Sequence, residues 1–290
     1  MRTFADSNPI AVALYFFAVT GIAMFASNPV ISAFSLIGAI VLFIMNNGRK
    51  NLSTHIFSAA LFAVMSLVNP LVSHNGATVL FVMNNNPVTL EAFIYGICSA
   101  LTVVAVLYWF NSFSQIMTSD KLLYLFGALS PKLALTLSMA LRYVPLFGNQ
   151  IKKVQASQKA LGLYKDDNIV DSFKGGVRIF SVMVTWALEN GIVTADSMTA
   201  RGYGICKRSR FSLFRFKAED VLIICSVLLF SALAVYGISS AEFKFYPYIF
   251  FPKLTARLVV GYASYGAMIL LPVIIGVKEE LKWKYLKSKI

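Results

Sequence analysis

The sequence predicts an all-α polytopic membrane protein with about six transmembrane helices and a set of cytoplasmic amphipathic helices. Of its 290 residues, 58% are hydrophobic and 13% are charged, whereas soluble domains average about 45–50% apolar and 25% charged residues. Several apolar stretches approach the roughly 20 residues that a bilayer crossing needs. A basic block at 112–218 interrupts them.

Six apolar segments mark the expected spans. They cover residues 9–27, 29–45, 55–68, 88–110, 219–238 and 257–277. Segment 55–68 is short for a crossing, so we expect residues 71–83 to extend it or to form a re-entrant piece. The chain then divides into N-terminal spans at 1–111, the block at 112–218, and C-terminal spans with a basic tail at 219–290.

Paired turn residues predict where helices begin. Asn accepts hydrogen bonds from free N–H groups at a helix start, and Pro fits the first helical position. We expect starts at Asn8-Pro9, Asn28-Pro29, Asn69-Pro70, Asn86-Pro87 and, inside the basic block, Ser130-Pro131. Glu91 is expected to stabilise the N-terminus of its own helix.

The charge distribution predicts the orientation. A net charge of +13 would suggest nucleic acid in a soluble protein, but Lys and Arg collect in the cytoplasmic loops of membrane proteins. With the N-terminus inside, only Lys244, Lys253 and Arg257 among the basic residues fall outside. We therefore expect a multi-pass protein of the cell membrane with both termini cytoplasmic, in contact with the lipid bilayer and not with nucleic acid.

The basic block is patterned as helices. It holds 15 Lys or Arg against six acidic residues. Apolar residues recur in it at helical spacing. The stripes are Leu122, Leu123, Leu125, Phe126 and Leu129; Leu133, Leu137, Leu141 and Val144; Ile151, Val154 and Leu161; and Leu188, Ile192, Ala195 and Met198. Such helices can lie on a membrane surface or pack on a partner, and 177–188 is apolar enough to enter the bilayer.

The block closes on Ala200-Arg201-Gly202, followed by Gly204. The glycines can adopt left-handed backbone angles, so the helix is expected to stop there. Arg201 then lies in the last turn. Its guanidinium either caps the helix's own carbonyls or contacts a partner's carboxylate in bidentate fashion; the residues alone leave both open.

A similar helix end occurs 40 residues earlier. Ala160-Leu161-Gly162 also closes an amphipathic stretch, but Leu replaces Arg. The repetition indicates a paired docking device.

Other cations have simpler interpretations. Arg142 stands amid apolar residues and is expected to reach the membrane interface or to pair internally, rather than to contact a partner. The run Lys207-Arg208-Ser209-Arg210 is expected to contact anionic lipid headgroups.

The sequence carries no motif for autonomous catalysis. It has no GxxxxGK[ST], HExxH or GxSxG pattern, its three cysteines show no CxxC spacing, and His55 and His74 are isolated. We predict no catalytic residue, no cofactor and no metal site.

Several ordered blocks resemble the transmembrane T component of energy-coupling factor (ECF) transporters, the EcfT/CbiQ-like family. They are the stretches 69–80 and 86–91, Ser119-Asp120-Lys121, Leu141-Arg142-Tyr143-Val144-Pro145, 158–162 and 197–204.

The resemblance implies a non-catalytic scaffold. T components join a substrate-binding membrane S component to two cytosolic ABC-type ATPases, which hydrolyse ATP to drive uptake of a vitamin or trace-metal ion. Two Ala-Arg-Gly-like signatures at the ends of cytoplasmic coupling helices dock on the ATPases. Here the second would be Ala200-Arg201-Gly202. The first survives as Ala160-Leu161-Gly162, which implies an apolar contact by Leu161 and two non-identical ATPases.

Two alternatives remain open from the residues. The chain could be a membrane-embedded enzyme acting on lipid or prenyl substrates, although it lacks the acid clusters that bind Mg²⁺. It could also be a membrane anchor that recruits soluble proteins.

Overall fold

The computed structural model describes residues 4–26, 28–47, 52–73, 75–83, 86–162, 169–205, 214, 216–239, 243–250 and 252–287. Its described part contains a 3-10 turn, nine α-helices and one β-hairpin. They are the turn at Phe4–Asp6, α1 (Pro9–Phe25), α2 (Pro29–Asn47), α3 (Leu52–Val72), β1 (Val79–Met83), β2 (Asn86–Thr89), α4 (Leu90–Ile116), α5 (Ser119–Leu129), α6 (Pro131–Ala160), α7 (Ile169–Ala200), α8 (Ala218–Ile238) and α9 (Ala256–Lys287). Two compact units result, one of residues 1–122 with 214–290 and one of residues 123–213.

The prediction of an all-α polytopic membrane protein is confirmed. Five of the described helices, α2, α3, α4, α8 and α9, are long and apolar enough to cross a membrane. The shorter apolar helix α1 has 17 residues and so measures about 25 Å, against a hydrocarbon core of about 30 Å. The protein is a multi-pass membrane protein.

Helices α4 and α9 organise the first unit. Helix α4 packs against α1, α2 and α3, while α9 packs against α8 and α2. Trp109 of α4 is fully buried, and its indole N–H donates to Ser35 Oγ at 2.9 Å. The rings of Tyr15 and Phe16 meet it edge-on at 6.1 and 6.0 Å. This aromatic centre ties α1, α2 and α4 together.

Helix α3 lies at the edge of the unit. Among the described elements it packs on α4 and β2, and only 17% of its candidate span is buried. Its outward surface is apolar, as lipid contact requires.

One end of the first unit gathers the starts of α1, α5 and α8. The N–H of Asn8 donates to the buried Asp220 carboxylate at 2.9 Å. The Lys121 ammonium donates to the carbonyls of Ala5 and Ile116. Burial lowers the pKa of Lys121, and the nearby Asp6 carboxylate opposes that shift. The chain therefore leaves the spans after α4 and returns at α8 from the same end.

The connections α1–α2, α3–α4 and α8–α9 lie at the opposite end. The Asn28 side chain between α1 and α2 donates to Tyr262 Oη near the start of α9 at 2.6 Å. The Tyr95 ring of α4 contacts the Phe245 ring of the α8–α9 connection at 5.2 Å.

The Asn-Pro prediction holds at the first two helices. The side chains of Asn8 and Asn28 accept from the N–H groups of Ile10 and Val30 at 3.0 and 3.1 Å. Helix α6 also begins at Pro131 as expected, although the Ser130 side chain makes no capping hydrogen bond.

The prediction is wrong at Asn69-Pro70. Pro70 lies inside α3, close to its C-terminus. Pro70 has no N–H to offer the Ser66 carbonyl one turn earlier, and Gly96 of α4 packs so closely there that an added Cβ would lie 2.9 Å from that oxygen. Tertiary packing on α4 therefore accommodates the proline within the helix.

The prediction is also wrong at Asn86-Pro87, which begins β2 rather than a helix. Pro87 pairs with Val82 in the hairpin, where an edge strand tolerates the missing N–H. Helix α4 starts at Leu90, capped by Thr89, whose hydroxyl accepts from the Ala92 N–H at 3.4 Å. The expected extension or re-entrant piece at 71–83 resolves into the end of α3 and strand β1; His74 lies outside the described residues.

Glu91 has a second role beyond its place in the first turn of α4. Its carboxylate is buried and accepts from the Thr78 hydroxyl at 2.6 Å and from the Thr78 N–H at 3.3 Å. It therefore fastens the start of the hairpin to α4.

The second unit is built on two long helices rather than several short ones. The expected stripes at 133–144 and 151–161 fall on a single helix, α6, and its C-terminal cap. Val154 of α6 is buried with Ile179 and Met183 of α7. The Leu188 and Ile192 stripe of α7 is exposed instead, because α6 covers a different face of that helix.

Candidate functional site

The C-terminus of α7 has the geometry of a Schellman motif. The Gly202 N–H donates to the Thr199 carbonyl at 2.9 Å, and the Tyr203 N–H donates to the Met198 carbonyl at 3.0 Å. Gly202 has φ +76°, in the left-handed region that favours glycine. Ala200 ends the helix, so Arg201 is its C-cap residue.

The C-terminus of α6 repeats the local arrangement. Ala160 ends the helix and Leu161 is its C-cap. Gly162 has φ +68°, and its N–H donates to the Lys159 carbonyl at 3.1 Å, the equivalent of the first bond at the other helix end. The structure therefore places Leu161 and Arg201 at matching positions of two helix termini.

The Arg201 side chain is exposed and makes no hydrogen bond or ion pair with the described residues. Because it does not cap its own helix there, its guanidinium donors face solvent. An exposed guanidinium can make a bidentate contact with a carboxylate.

Arg142 does not pair internally with the described residues. It lies in the middle of α6, exposed, with no hydrogen bond or ion pair to any residue in the described ranges. The run Lys207–Arg210, expected at the lipid surface, lies outside the described residues.

The two helix termini lie at opposite ends of the α6–α7 pair. The Tyr143 and Thr194 hydroxyls are hydrogen-bonded at 3.0 Å. Farther along α6, the Phe147 ring meets Trp186 at 5.5 Å, and Val154 packs near Ile179. Rising numbers on one helix meet falling numbers on the other, so the helices run antiparallel. At 1.5 Å per residue, Leu161 and Arg201 lie on the order of 40 Å apart.

Sequence patterns did not reveal the contacts that hold this pair together. No local signal shows which residues the side chains of Tyr143, Phe147 and Trp186 contact. Their pairing depends on the antiparallel return of α7, which no local signal encodes. Only the aromatic pattern of Tyr143 and Phe147, one helical turn apart, could have suggested a packed face.

Substitution of Gly202 tests the helix end. We expect Gly202→Ala to speed amide hydrogen exchange at Tyr203 roughly 5- to 30-fold, because a left-handed angle costs an L-residue about 1–2 kcal/mol. Gly202→Asn should change it less, since Asn tolerates this region. Gly191→Ala is the matched control inside α7, where an added Cβ meets nothing within 4 Å. Equal rates in all three variants would contradict the assigned geometry.

Comparison with known proteins supports a transporter relationship. A family model described as "Cobalt transport protein" (CbiQ) matches residues 3–213.

Curated relatives carry a related name. The energy-coupling factor transporter transmembrane protein EcfT 1 of Listeria monocytogenes is 30% identical over 102 residues, covering 34% of this chain and 38% of the relative. The EcfT protein of Listeria innocua is 31% identical over 104 residues, covering 35% and 39%. That of Lacticaseibacillus paracasei is 29% identical over 104 residues, with the same coverage. The matched stretch thus spans less than half the length of these relatives.

The family model covers well over half of the 290 residues, including both Ala-x-Gly helix ends. On that match, the chain belongs to the CbiQ cobalt transport family.

Proposed function

We propose that the chain is the transmembrane T component of an ECF-type ABC importer for a vitamin or a trace-metal ion. It links two cytosolic ATPases to a membrane S component that binds the substrate, and it catalyses no reaction itself. The observation that carries the proposal is the pair of matching helix ends, Ala160-Leu161-Gly162 and Ala200-Arg201-Gly202. Each presents an exposed C-cap side chain beside a left-handed glycine.

The distance between the two ends favours two partner subunits. A compact domain of about 200 residues has a radius of gyration of roughly 17 Å. Such a domain has a radius of about 21 Å, so two of them side by side would have centres roughly 43 Å apart, comparable to the separation of Leu161 and Arg201. An antiparallel helix pair joined by the contacts of Tyr143 with Thr194 and of Phe147 with Trp186 can carry a movement at one end to the other, which a scaffold between ATPases and membrane needs.

Charge supports a cytoplasmic position for the docking ends. The chain leaves and re-enters the spans at the end where Asn8, Lys121 and Asp220 meet. The opposite end includes the only basic residues that the predicted topology places outside, Lys244, Lys253 and Arg257. Under the positive-inside rule, the end with the basic block and both termini faces the cytoplasm.

Exposed apolar side chains on α7 suit the membrane partner. Phe173, Val177 and Phe180 lie within two turns, and more than half of each side chain is exposed. An apolar stripe of this kind fits either an S component or the bilayer surface.

Affinity purification from native membranes tests this function. We expect the full chain to retain two ABC-type ATPase subunits and a small membrane protein. Enzymatic turnover of a lipid or prenyl substrate by the isolated chain would favour the enzyme alternative. Soluble partners without ATPase activity would favour the anchor alternative.

A further inference from the structure

A cavity of about 260 Å³ lies between α3 and α4 in the first unit. Its polar lining includes the hydroxyl groups of Thr54, Ser58 and Ser114 and the side-chain amide of Asn111. Thr54 lies in the first turn of α3, and Ser114 lies in the last turn of α4. The cavity is therefore at the end of the spans where the chain leaves α4.

Ser58 is a buried polar residue in the wall of this cavity. It is 5% exposed, and its hydroxyl makes no hydrogen bond with a described residue. Helix hydroxyls such as those of Thr20 and Ser264 donate instead to a carbonyl three or four residues earlier. A buried polar group without a partner is unfavourable, above all beside lipid. The Ser58 hydroxyl is thus available to a ligand in the cavity.

The other polar groups of the lining also have unused hydrogen-bonding capacity. The Asn111 carbonyl oxygen accepts from the Gln115 amide at 3.0 Å, which leaves the Asn111 amino group without a partner among the described residues. The Thr54 and Ser114 hydroxyls make no hydrogen bond within the described part of the chain. Together these groups offer a ligand both donors and acceptors.

The position of the cavity indicates a ligand from the membrane. Helix α4 has 27 residues and so measures about 40 Å, close to the thickness of a bilayer with its headgroup regions. The polar groups near its end therefore lie at headgroup level. Phe57, Leu107 and Phe110 complete the lining, and more than a third of each side chain is exposed. This apolar flank adjoins α3, the edge helix with the lipid-facing surface.

The chemistry of the lining favours an uncharged headgroup. None of the described residues that line the cavity is charged. Phosphate is typically bound by Arg or Lys, and an anion among neutral hydroxyls would lose water without gaining a counter-charge. The volume is also below the roughly 300–1,000 Å³ of a site for a drug-sized ligand. It therefore suits a headgroup rather than a whole lipid.

We propose that this cavity binds the uncharged, hydroxyl-bearing headgroup of a glycolipid, such as a glycosyl diacylglycerol. Ser58 and Asn111 hydrogen-bond the headgroup hydroxyls, and the acyl chains extend past Leu107 along the lipid-facing surface of α3. The site does not depend on the proposed ATPase contacts, because it belongs to the first unit and both Ala-x-Gly helix ends belong to the second.

Native mass spectrometry of the full chain tests the site with two lipids that have the same acyl chains, a monoglucosyl diacylglycerol and a phosphatidylglycerol. We expect the glycolipid to bind at least fivefold more tightly. Ser58→Ala should weaken its binding roughly 2- to 10-fold, and Ser58→Ala combined with Asn111→Leu roughly 5- to 50-fold, as the loss of one or two neutral hydrogen bonds predicts. Ser66→Ala is the matched control, the same change at a buried serine of α3 two turns from Ser58, and should leave binding unchanged.

Thermal unfolding separates binding from folding. The glycolipid should raise the unfolding temperature of the unsubstituted chain, because a ligand that binds only the folded state stabilises it. It should raise that of the double variant much less, while the two proteins unfold at nearly the same temperature without it. Equal binding of the two lipids, or equal glycolipid binding by the Ser58→Ala and Ser66→Ala proteins, would overturn the proposal. So would binding of neither lipid, the result expected if a second membrane protein covers the cavity instead.

Discussion

Replacing Arg201 by Glu is expected to release the ATPases from the complex and to stop uptake. Loss of one partner in a desolvated, hydrogen-bonded ion pair costs about 2–5 kcal/mol, or roughly 30-fold or more in affinity. Charge reversal adds repulsion to that loss. Because the Arg201 side chain makes no hydrogen bond with the described residues, the fold should be unaffected, and the unfolding temperature of the isolated chain should stay the same.

Arg142→Glu is the matched control for this experiment. It makes the same chemical change at an exposed arginine of the same unit, in the middle of α6 rather than at a helix end. We expect the Arg142→Glu protein to bind the ATPases nearly as tightly as the unsubstituted protein does. Arg201→Lys should lose part of the affinity, since a lysine cannot form the bidentate contact. Equal effects of the changes at 142 and 201 would contradict a specific role for Arg201.

Replacing Gly237 by Leu is expected to prevent stable packing of α8 against α9. A Cβ added at Gly237 would lie 2.5 Å from the Cα and 2.7 Å from the N of Gly261. Both are backbone atoms, so no side-chain rotation can relieve the clash and the helices must separate. Close approach of small residues is a principal source of helix association in membranes. The Arg257 guanidinium, 3.7 Å from the Tyr236 ring, would move with α9.

Gly237→Ala should already lower stability, by about 1–3 kcal/mol for an overpacked site. Gly266→Ala on α9 is the control, because an added Cβ there meets nothing within 4 Å, and alanine favours the helix. Thermal unfolding in detergent measures all three variants. Equal unfolding temperatures for Gly237→Ala and Gly266→Ala would contradict the close backbone contact.

The spans could be predicted because they depend on local composition. Asn8 and Asn28 cap their helices through bonds to residues two positions ahead, so the signal is contained in the sequence. The same dipeptide does not begin a helix at Asn69-Pro70 or Asn86-Pro87, because contacts with residues outside the dipeptide determine the structure there. Gly96 packs on α3, and the pairing of Pro87 with Val82 forms a hairpin.

The candidate site likewise has features that the sequence predicts and features that depend on tertiary contacts. Gly162 and Gly202 mark the helix ends in the sequence, and both adopt the left-handed angle that ends a helix. The separation of the two ends was not predictable, because it depends on the antiparallel contact of Tyr143 with Thr194 and of Phe147 with Trp186. The exposure of Leu188 and Ile192 was not predictable for the same reason, because it depends on which face of α7 packs against α6.

Photo-crosslinking from position 201 in native membranes tests the docking claim most directly. A photoreactive amino acid placed at Arg201 should form a covalent adduct with an ABC-type ATPase subunit, whereas the same group at Arg142 should not. Adducts from position 201 with lipid or membrane proteins alone, in membranes that contain the assembled ATPases, would contradict the claim that this helix end is an ATPase contact.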